Sequence, residues 1–313
     1  MGFLKEIATT EMKGLKIGNA QNEEAMTGVT VLLFDHGATI GVDVSGGGPA
    51  SRETLLASPL TADNPVHAIV LSGGSAFGLA ASDGVMKYLE EHGIGFPTGF
   101  AKVPLVCQSC IYDLGIGKSQ VRPDAAMGYA ACVDAQDNRP ACGNIGGGTG
   151  ATVGKLYGMG RAMKSGLGLY AVQAGPLQMA AVVIVNALGD VFDPHSGKKL
   201  AGLRGPDGQG FSDSCQELYQ ITQKKNRFTE NTTIGAIVTN GKFSKAEMGK
   251  LASMTRNAYA RCINPVGTLA DGDTIYAASI GDVEADVNMA GALAAEVMGE
   301  AIQKAISASQ KNL

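Results

Sequence analysis

Apolar residues follow two rhythms along this chain. Short runs of apolar and β-branched residues closed by glycine, asparagine or proline predict buried strands. They fall at 28–34, 39–44, 68–71, 167–173, 178–185, 233–239 and 274–279. The first two predict a hairpin joined through Asp35, His36 and Gly37, and 167–173 with 178–185 a second one around Ala174, Gly175 and Pro176. Spacings of three and four predict helices at 76–92, 125–133, 213–222, 245–262 and 283–309. Gly93 stops the first, Pro123 opens the second by the proline-first rule, and Ser244 with Glu247 forms a capping box for the fourth. Residues 52–56 predict a short helix capped by Ser51. Residues 18–25 are turn-like and polar, 45–51 and 194–210 are loops, and 96–117 is irregular or briefly stranded. Neither a repeat nor a flexible linker divides the chain, so one domain over 1–313 is expected, in layers of mixed sheet and helix.

The composition fits that pattern. At 313 residues with 45% hydrophobic content, the chain can bury a sizeable core. Lys and Arg total 25 against 29 acids, a formal charge of −4 without a basic cluster or acidic tail. Neither nucleic acid nor an anionic membrane is implied as a partner, which leaves a small molecule or peptide. The first six residues carry charge where a signal peptide needs an apolar run, and no stretch reaches the roughly 20 apolar residues of a membrane span, so a cytoplasmic protein is expected.

Gly is common at 44 residues, and two glycine turns invite a ligand reading. Gly73-Gly74-Ser75 links a strand to a helix, where main-chain N–H groups can cradle an anion or an oxyanion. Gly146-Gly147-Gly148-Thr149-Gly150 has a similar look but follows polar loop rather than a strand. Neither has the P-loop lysine or a full dinucleotide fingerprint, and a nucleotide- or anion-binding protein that does not cut itself remains an alternative. Cys107 and Cys110 have redox or zinc spacing without a second pair, and the four histidines lack the i, i+4 spacing of a helix-borne zinc site. His67 reads as a structural strand residue. No metal or cofactor is expected.

The sharpest discontinuity lies at Asn231–Thr232, where the charged segment 223–230 gives way to a strand. If that bond were cut, Thr232 would begin a chain with its hydroxyl beside a free α-amine of ordinary pKa about 7.7–8.0, which can serve as its base. A threonine at a strand start is otherwise commonplace. Here the junction has company. Asn231-Thr232-Thr233-Ile234-Gly235, Asp271-Gly272-Asp273, Ser72-Gly73-Gly74-Ser75-Ala76-Phe77-Gly78-Leu79, Ile111-Tyr112-Asp113-Leu114-Gly115, the block from Gly147 to Lys155 and the block from Val185 to Val191 occur as an ordered series over nearly the whole chain. Together they resemble the self-cleaving L-aminopeptidase/D-esterase family of serine and threonine peptidases, which includes β-peptidyl aminopeptidases and hydrolases of nylon oligomers.

The resemblance implies a four-layer α/β/β/α sandwich of the N-terminal-nucleophile-like kind. It also implies autocleavage into chains 1–231 and 232–313, an assembly of several αβ units, commonly four, and removal of N-terminal residues from peptides, amides or esters through an acyl-enzyme on Thr232. Asp271 and Asp273, on one side of an extended segment, would orient Thr232 or pair with an amine, although Asp-Gly-Asp is also an ordinary turn. Asn186 would stabilise the oxyanion through its amide, Tyr112 would support the oxyanion or the acyl group, and Lys155 would move protons at a lowered pKa. Many aminopeptidase members carry Ser and Glu where this chain has Asp271 and Asp273. That difference resembles the nylon-oligomer hydrolases and keeps an endo-amidase as the alternative.

Overall fold

A computed structural model describes residues 4–221 and 231–310. The charged loop expected at 223–230 lies outside the described residues. Twelve elements carry the argument: β1 (Leu15–Asn22), β2 (Thr27–Val44), β3 (Val66–Ser72), α1 (Ala81–Glu91), β4 (Val106–Cys110), α2 (Ala125–Asp134), β5 (Leu167–Ala174), β6 (Leu177–Ile184), β7 (Ile234–Gly241), α3 (Lys245–Cys262), β8 (Thr274–Val283) and α4 (Val287–Gln310).

The strands run in the order β5-β6-β7-β8-β2-β3-β4, with the short strands Leu4–Glu6 and Ala50–Arg52 at the two ends and β1 paired with β2. The long strand β2 belongs to two sheets. Its first half lies between β1 and β3, while its second half pairs with β8. The expected hairpin at 28–44 is therefore a single strand. Its polar Asp35 and His36 are exposed where the strand passes from one sheet to the other, and Gly37 there has φ +76°, so the chain bends without reversing.

Alternation sorts β2 between layers. Leu32 and Phe34 share a core with Ile69 and Leu71 of their own sheet and with Leu169, Val182, Ile234, Val238 and Tyr276 of the other. Val29, Val31 and Leu33 turn outward to Val85 and Leu89 of α1 and to Ala131 and Cys132 of α2. On the far side Met179, Val183, Ile237 and Ala277 pack on Leu251 and Ala258 of α3 and on Met298 and Ile302 of α4. The result is helix, sheet, sheet, helix, as expected.

Local departures have local causes. Residues 18–25, expected as a turn, supply most of β1. Asn19 is buried there because its side chain accepts from Thr30 Oγ1 at 2.8 Å, and a Cβ at Gly18 would strike the α2 backbone. Residues 106–110, within the stretch expected as irregular or briefly stranded, form the buried strand β4. Residues 75–80 make a 3₁₀ turn ahead of α1, and Glu53, not Ser51, precedes the short turn at Thr54–Ala57. Asp124, one residue beyond the expected proline, caps α2 by accepting from Met127 N at 2.9 Å. Strand β8 continues to Val283, so α4 starts at Val287 rather than at 283. Ser244 and Glu247 form the predicted capping box. Among the described residues no helix is long and apolar enough to cross a membrane.

Candidate active site

Strands β7 and β8 are parallel, with Ile234 beside Thr274 and α3 as the crossover. Parallel neighbours begin at the same edge, so Thr232 and Thr233 meet Asp271 and Asp273 although 40 residues separate Thr233 from Asp273. Strand β6 is antiparallel to β7, Ile184 opposite Ile234, and so ends where β7 begins, delivering Asn186. The other sheet contributes from the same end. β3 and β4 are parallel with Ser72 beside Cys110, and the chain beyond β4 supplies Tyr112 and Asp113.

Thr232 is 5% exposed. Its N–H donates to Asn186 O at 2.9 Å, and its hydroxyl donates to Asn231 O, the carbonyl it would attack. That same carbonyl accepts from Gly272 N at 2.9 Å. Thr232 is thus held between the end of β6 and the start of β8, with a main-chain donor already on the oxygen that would become an oxyanion.

Lys155 is buried and donates to Asn186 O at 3.0 Å and to Asn186 Oδ1 at 2.7 Å. Its amine and the Thr232 nitrogen therefore converge on one carbonyl oxygen. Burial pulls the Lys155 pKa down to about 7, against the opposing pull of Asp271, Asp113 and Asp273. Asn186 Oδ1 also accepts from Thr152 N at 3.0 Å, and Nδ2 donates to Tyr112 O at 3.0 Å. Tyr112 touches Asn186 through its main chain, while its half-buried side chain lines a cavity of about 200 Å³. Asp113, Ile116, Thr152, Lys155, Met159 and Asn231 line the same cavity.

The two aspartates hold the frame. Asp273 accepts from Thr233 N at 2.6 Å and from Gly267 N at 2.9 Å, and Asp271 accepts from Thr268 N at 2.7 Å. Burial raises both pKa values, Asp273 further because Asp271 is a like charge beside it. All six predicted side chains and the Asn231–Thr232 junction thus lie in one neighbourhood.

Three contributors were missed by sequence reasoning. Gly272 carries the donor to Asn231 O, and a Cβ on it would lie 2.9 Å from Thr232 Oγ1 and from Gly48 O, so only glycine fits between the aspartates. The 45–48 loop, predicted as a mere connection, ties down that segment: Ser45 N and Gly46 N donate to Asp273 O, and Gly48 N to Asp271 O. Its run of glycines was the available signal. Asp113 is buried, with Oδ2 accepting from Thr27 Oγ1 at 2.6 Å and Oδ1 from Gly74 N at 2.7 Å.

Those bonds bear on the glycine turns. Gly73 N donates to Gly28 O, Gly74 N to Asp113 and Ser75 N to Ile111 O; Gly146 N donates to Gln21, Gly147 N to Thr30 Oγ1 and Gly148 N to Ile145 O. These amides are spent on the fold, which removes the donors a phosphate cradle needs. Cys107 and Cys110, three apart on a strand, point to opposite faces and are buried with pKa values pushed up to about 12 by burial. His67 sits in β3, where its ring accepts from Leu105 N.

Residues 8–312 match peptidase family S58. An uncharacterized aminopeptidase of Mycobacterium leprae is 36% identical over 301 residues, covering 88% of this chain and 79% of that protein. A 6-aminohexanoate-oligomer endohydrolase of Kocuria is 31% identical over 321 residues, covering 96% of this chain and 86% of that protein. Among solved structures, the L-aminopeptidase D-Ala-esterase/amidase of Ochrobactrum anthropi, described as a variant of the Ntn hydrolase fold, superposes with a TM-score of 0.70 at 16% identity, covering 96% of this chain and 86% of that one. A Burkholderia β-aminopeptidase superposes with a TM-score of 0.68 at 18% identity, covering 96% of this chain and 86% of that one.

Proposed function

We propose that this chain, which belongs to peptidase family S58 and is a peptidase of the amide-hydrolysing kind, first cuts its own Asn231–Thr232 bond and then uses Thr232 on substrate. The observation that carries the reading is the convergence on that bond of the Thr232 hydroxyl, the Gly272 N–H and, through Asn186 O, the Lys155 amine.

In the intact chain the Thr232 nitrogen is an amide and has no basicity to offer. Lys155, about half neutral at pH 7 and linked to the Thr232 nitrogen through Asn186 O, takes the hydroxyl proton in this reading as Oγ1 bonds to the Asn231 carbonyl carbon. Gly272 N–H holds the negative oxygen. Collapse breaks the C–N bond, the proton passes from Lys155 to the departing nitrogen, and Asn231 is left as an ester on Thr232. Water then opens the ester, leaving the Asn231 carboxylate, a free hydroxyl and a new α-amine. After the cut that amine, with an ordinary pKa of about 7.7–8.0, joins Lys155 as a base beside the nucleophile.

Asn231 lines the cavity, so the acyl part of a substrate bound to the mature enzyme would follow it there, between Tyr112, Ile116 and Met159. Peptides, small amides and esters fit that description, with an aminopeptidase as the first reading. An endo-amidase is the second, favoured by Asp271 and Asp273 and by the 31% identical oligomer endohydrolase.

Intact mass and denaturing electrophoresis test the first step. Two fragments ending at Asn231 and starting at Thr232 are expected, and Thr232→Ala should remain whole. A wild-type preparation that hydrolyses aminoacyl-p-nitroanilides or aminohexanoate oligomers as an uncut chain would sink the reading, and the same substrate panel separates exo- from endo-cleavage.

A further inference from the structure

On the outer helical layer, among the described residues, one group of three His, Cys, Asp or Glu side chains offers ligand atoms within 4.8 Å of one another: His195, Glu296 and Glu300. None of them lines the Thr232 cavity. Glu296 and Glu300 are four apart on α4 and share a face one turn apart. His195 comes from the turn between the short strands Asp190–Phe192 and Lys199–Ala201.

The turn is organised before any ion arrives. Asp193 Oδ1 accepts from His195 N at 2.9 Å, Asp193 Oδ2 from Ser196 Oγ at 2.7 Å, and Asp193 O from Gly197 N at 2.8 Å. It sits against the helix at Gly299, where a Cβ would lie 3.6 Å from the Pro194 ring. The His195 imidazole then meets Glu300 Oε1 at 2.6 Å and Glu296 Oε1 at 3.6 Å through Nε2. Two carboxylates thus face one imidazole. Among the described residues neither glutamate is paired with a lysine or arginine, and Lys304, one turn beyond, is engaged with Glu6 at 2.6 Å.

We propose that His195, Glu296 and Glu300 bind a borderline divalent cation of the Zn²⁺, Co²⁺ or Ni²⁺ class, which clamps the 193–198 turn to α4. One imidazole nitrogen and two carboxylates on a helix are the donors such ions take, with water completing the shell. Ligands about 2.0–2.1 Å from a tetrahedral ion stand about 3.4 Å apart, so Glu300 needs to withdraw from His195 by under about 1 Å, while Glu296 already stands 3.6 Å from His195. The ion offsets two carboxylates that repel each other across one helical turn. Asn186 and the 190–201 hairpin lie on the same stretch of chain, so the clamp steadies the segment that follows Asn186.

The test uses tag-free protein stripped with chelator and then dialysed, with Zn²⁺ or Co²⁺ alone as the probe. At a hundredfold excess over Kd the melting temperature should rise by about 4 °C. Co²⁺ should give a visible absorption band. Both signals should vanish in His195→Gln and in Glu300→Gln, whose side chains are exposed enough for the fold to tolerate the change. No rise in melting temperature, or an equal rise in the variants, overturns the proposal, as does a Co²⁺ spectrum indistinguishable from that of the free ion. Thr232-dependent cleavage is unaffected by any of these outcomes, so the two readings fail separately.

Discussion

Two lysines nine positions apart, Lys155 and Lys164, are withdrawn from water in different ways. Lys164 donates to three main-chain carbonyls, Thr149 O and Ala151 O at 2.9 Å and Ser165 O at 3.1 Å, and so stitches the 146–151 turn to the strand after it. Lys155 donates to both oxygens of Asn186, one of which also holds the Thr232 nitrogen. Burial lowers both, Lys164 to about 8 and Lys155 to about 7, and Asp113 pulls each back toward the charged form. A depressed lysine is therefore not by itself a catalytic one. The acceptors differ: Lys164 caps three loop carbonyls, whereas Lys155 shares one carbonyl with the Thr232 nitrogen, the arrangement on which its proposed role in moving protons rests.

Exchanging each amine for a methyl should separate the roles most sharply. Lys155→Met should slow appearance of the 232–313 fragment by about 10³-fold, the scale of a lost general base. Stability should change by under about 1 kcal/mol, because Asn186 O keeps the Thr232 N–H and Oδ1 keeps the Thr152 N–H. Cleavage at the wild-type rate would remove Lys155 from the chemistry. Gly272→Ala should come next, slowing self-cleavage by about 10²-fold as the methyl pushes Thr232 Oγ1 and the Gly272 N–H out of register with Asn231 O. A fragment time course measures both.

Acidity gives a milder test. Only the neutral amine accepts a proton, so with the Lys155 pKa at about 7 the self-cleavage rate should rise about tenfold per pH unit below 7 and level off above it. A rate that falls as pH rises through 7 would point to a group acting as an acid, with Asp273, raised to about 7, the first suspect. The smallest effect on rate belongs to Lys164→Met. It should cost about 2 kcal/mol in denaturant unfolding, since Thr149 O and Ser165 O lose their donor while Ala151 O keeps the Ser165 N–H, yet leave self-cleavage within about threefold of wild type. A larger loss of maturation would erase the contrast between the two amines.

The strands and helices with a strict period were legible beforehand. β3, β5, β6, β7 and α3 lie within a residue or two of the apolar runs and the capping box that announced them. Errors gathered where polar residues are buried or where a strand changes sheets. Asn19 made β1 read as a turn, and Asp35-His36-Gly37 made β2 read as a hairpin, because a partner such as Thr30 or a second sheet leaves no mark on local pattern. The site residues were named from the resemblance rather than from periodicity. Gly272 and the 45–48 loop escaped because their work is done by main-chain N–H groups, which every residue but proline possesses.

The order of letters alone set the alternation that divides β2 between two faces, the cap that starts α3, and the break at Asn231–Thr232. Only the folded chain decided that a carbonyl of Asn186 should face both Lys155 and Thr232, and that Gly272 should point its N–H at Asn231. Side-chain period is a property of neighbours within one segment. Convergence is set by the parallel pairing of β7 with β8 and by the antiparallel return of β6, which bring distant segment ends to one edge.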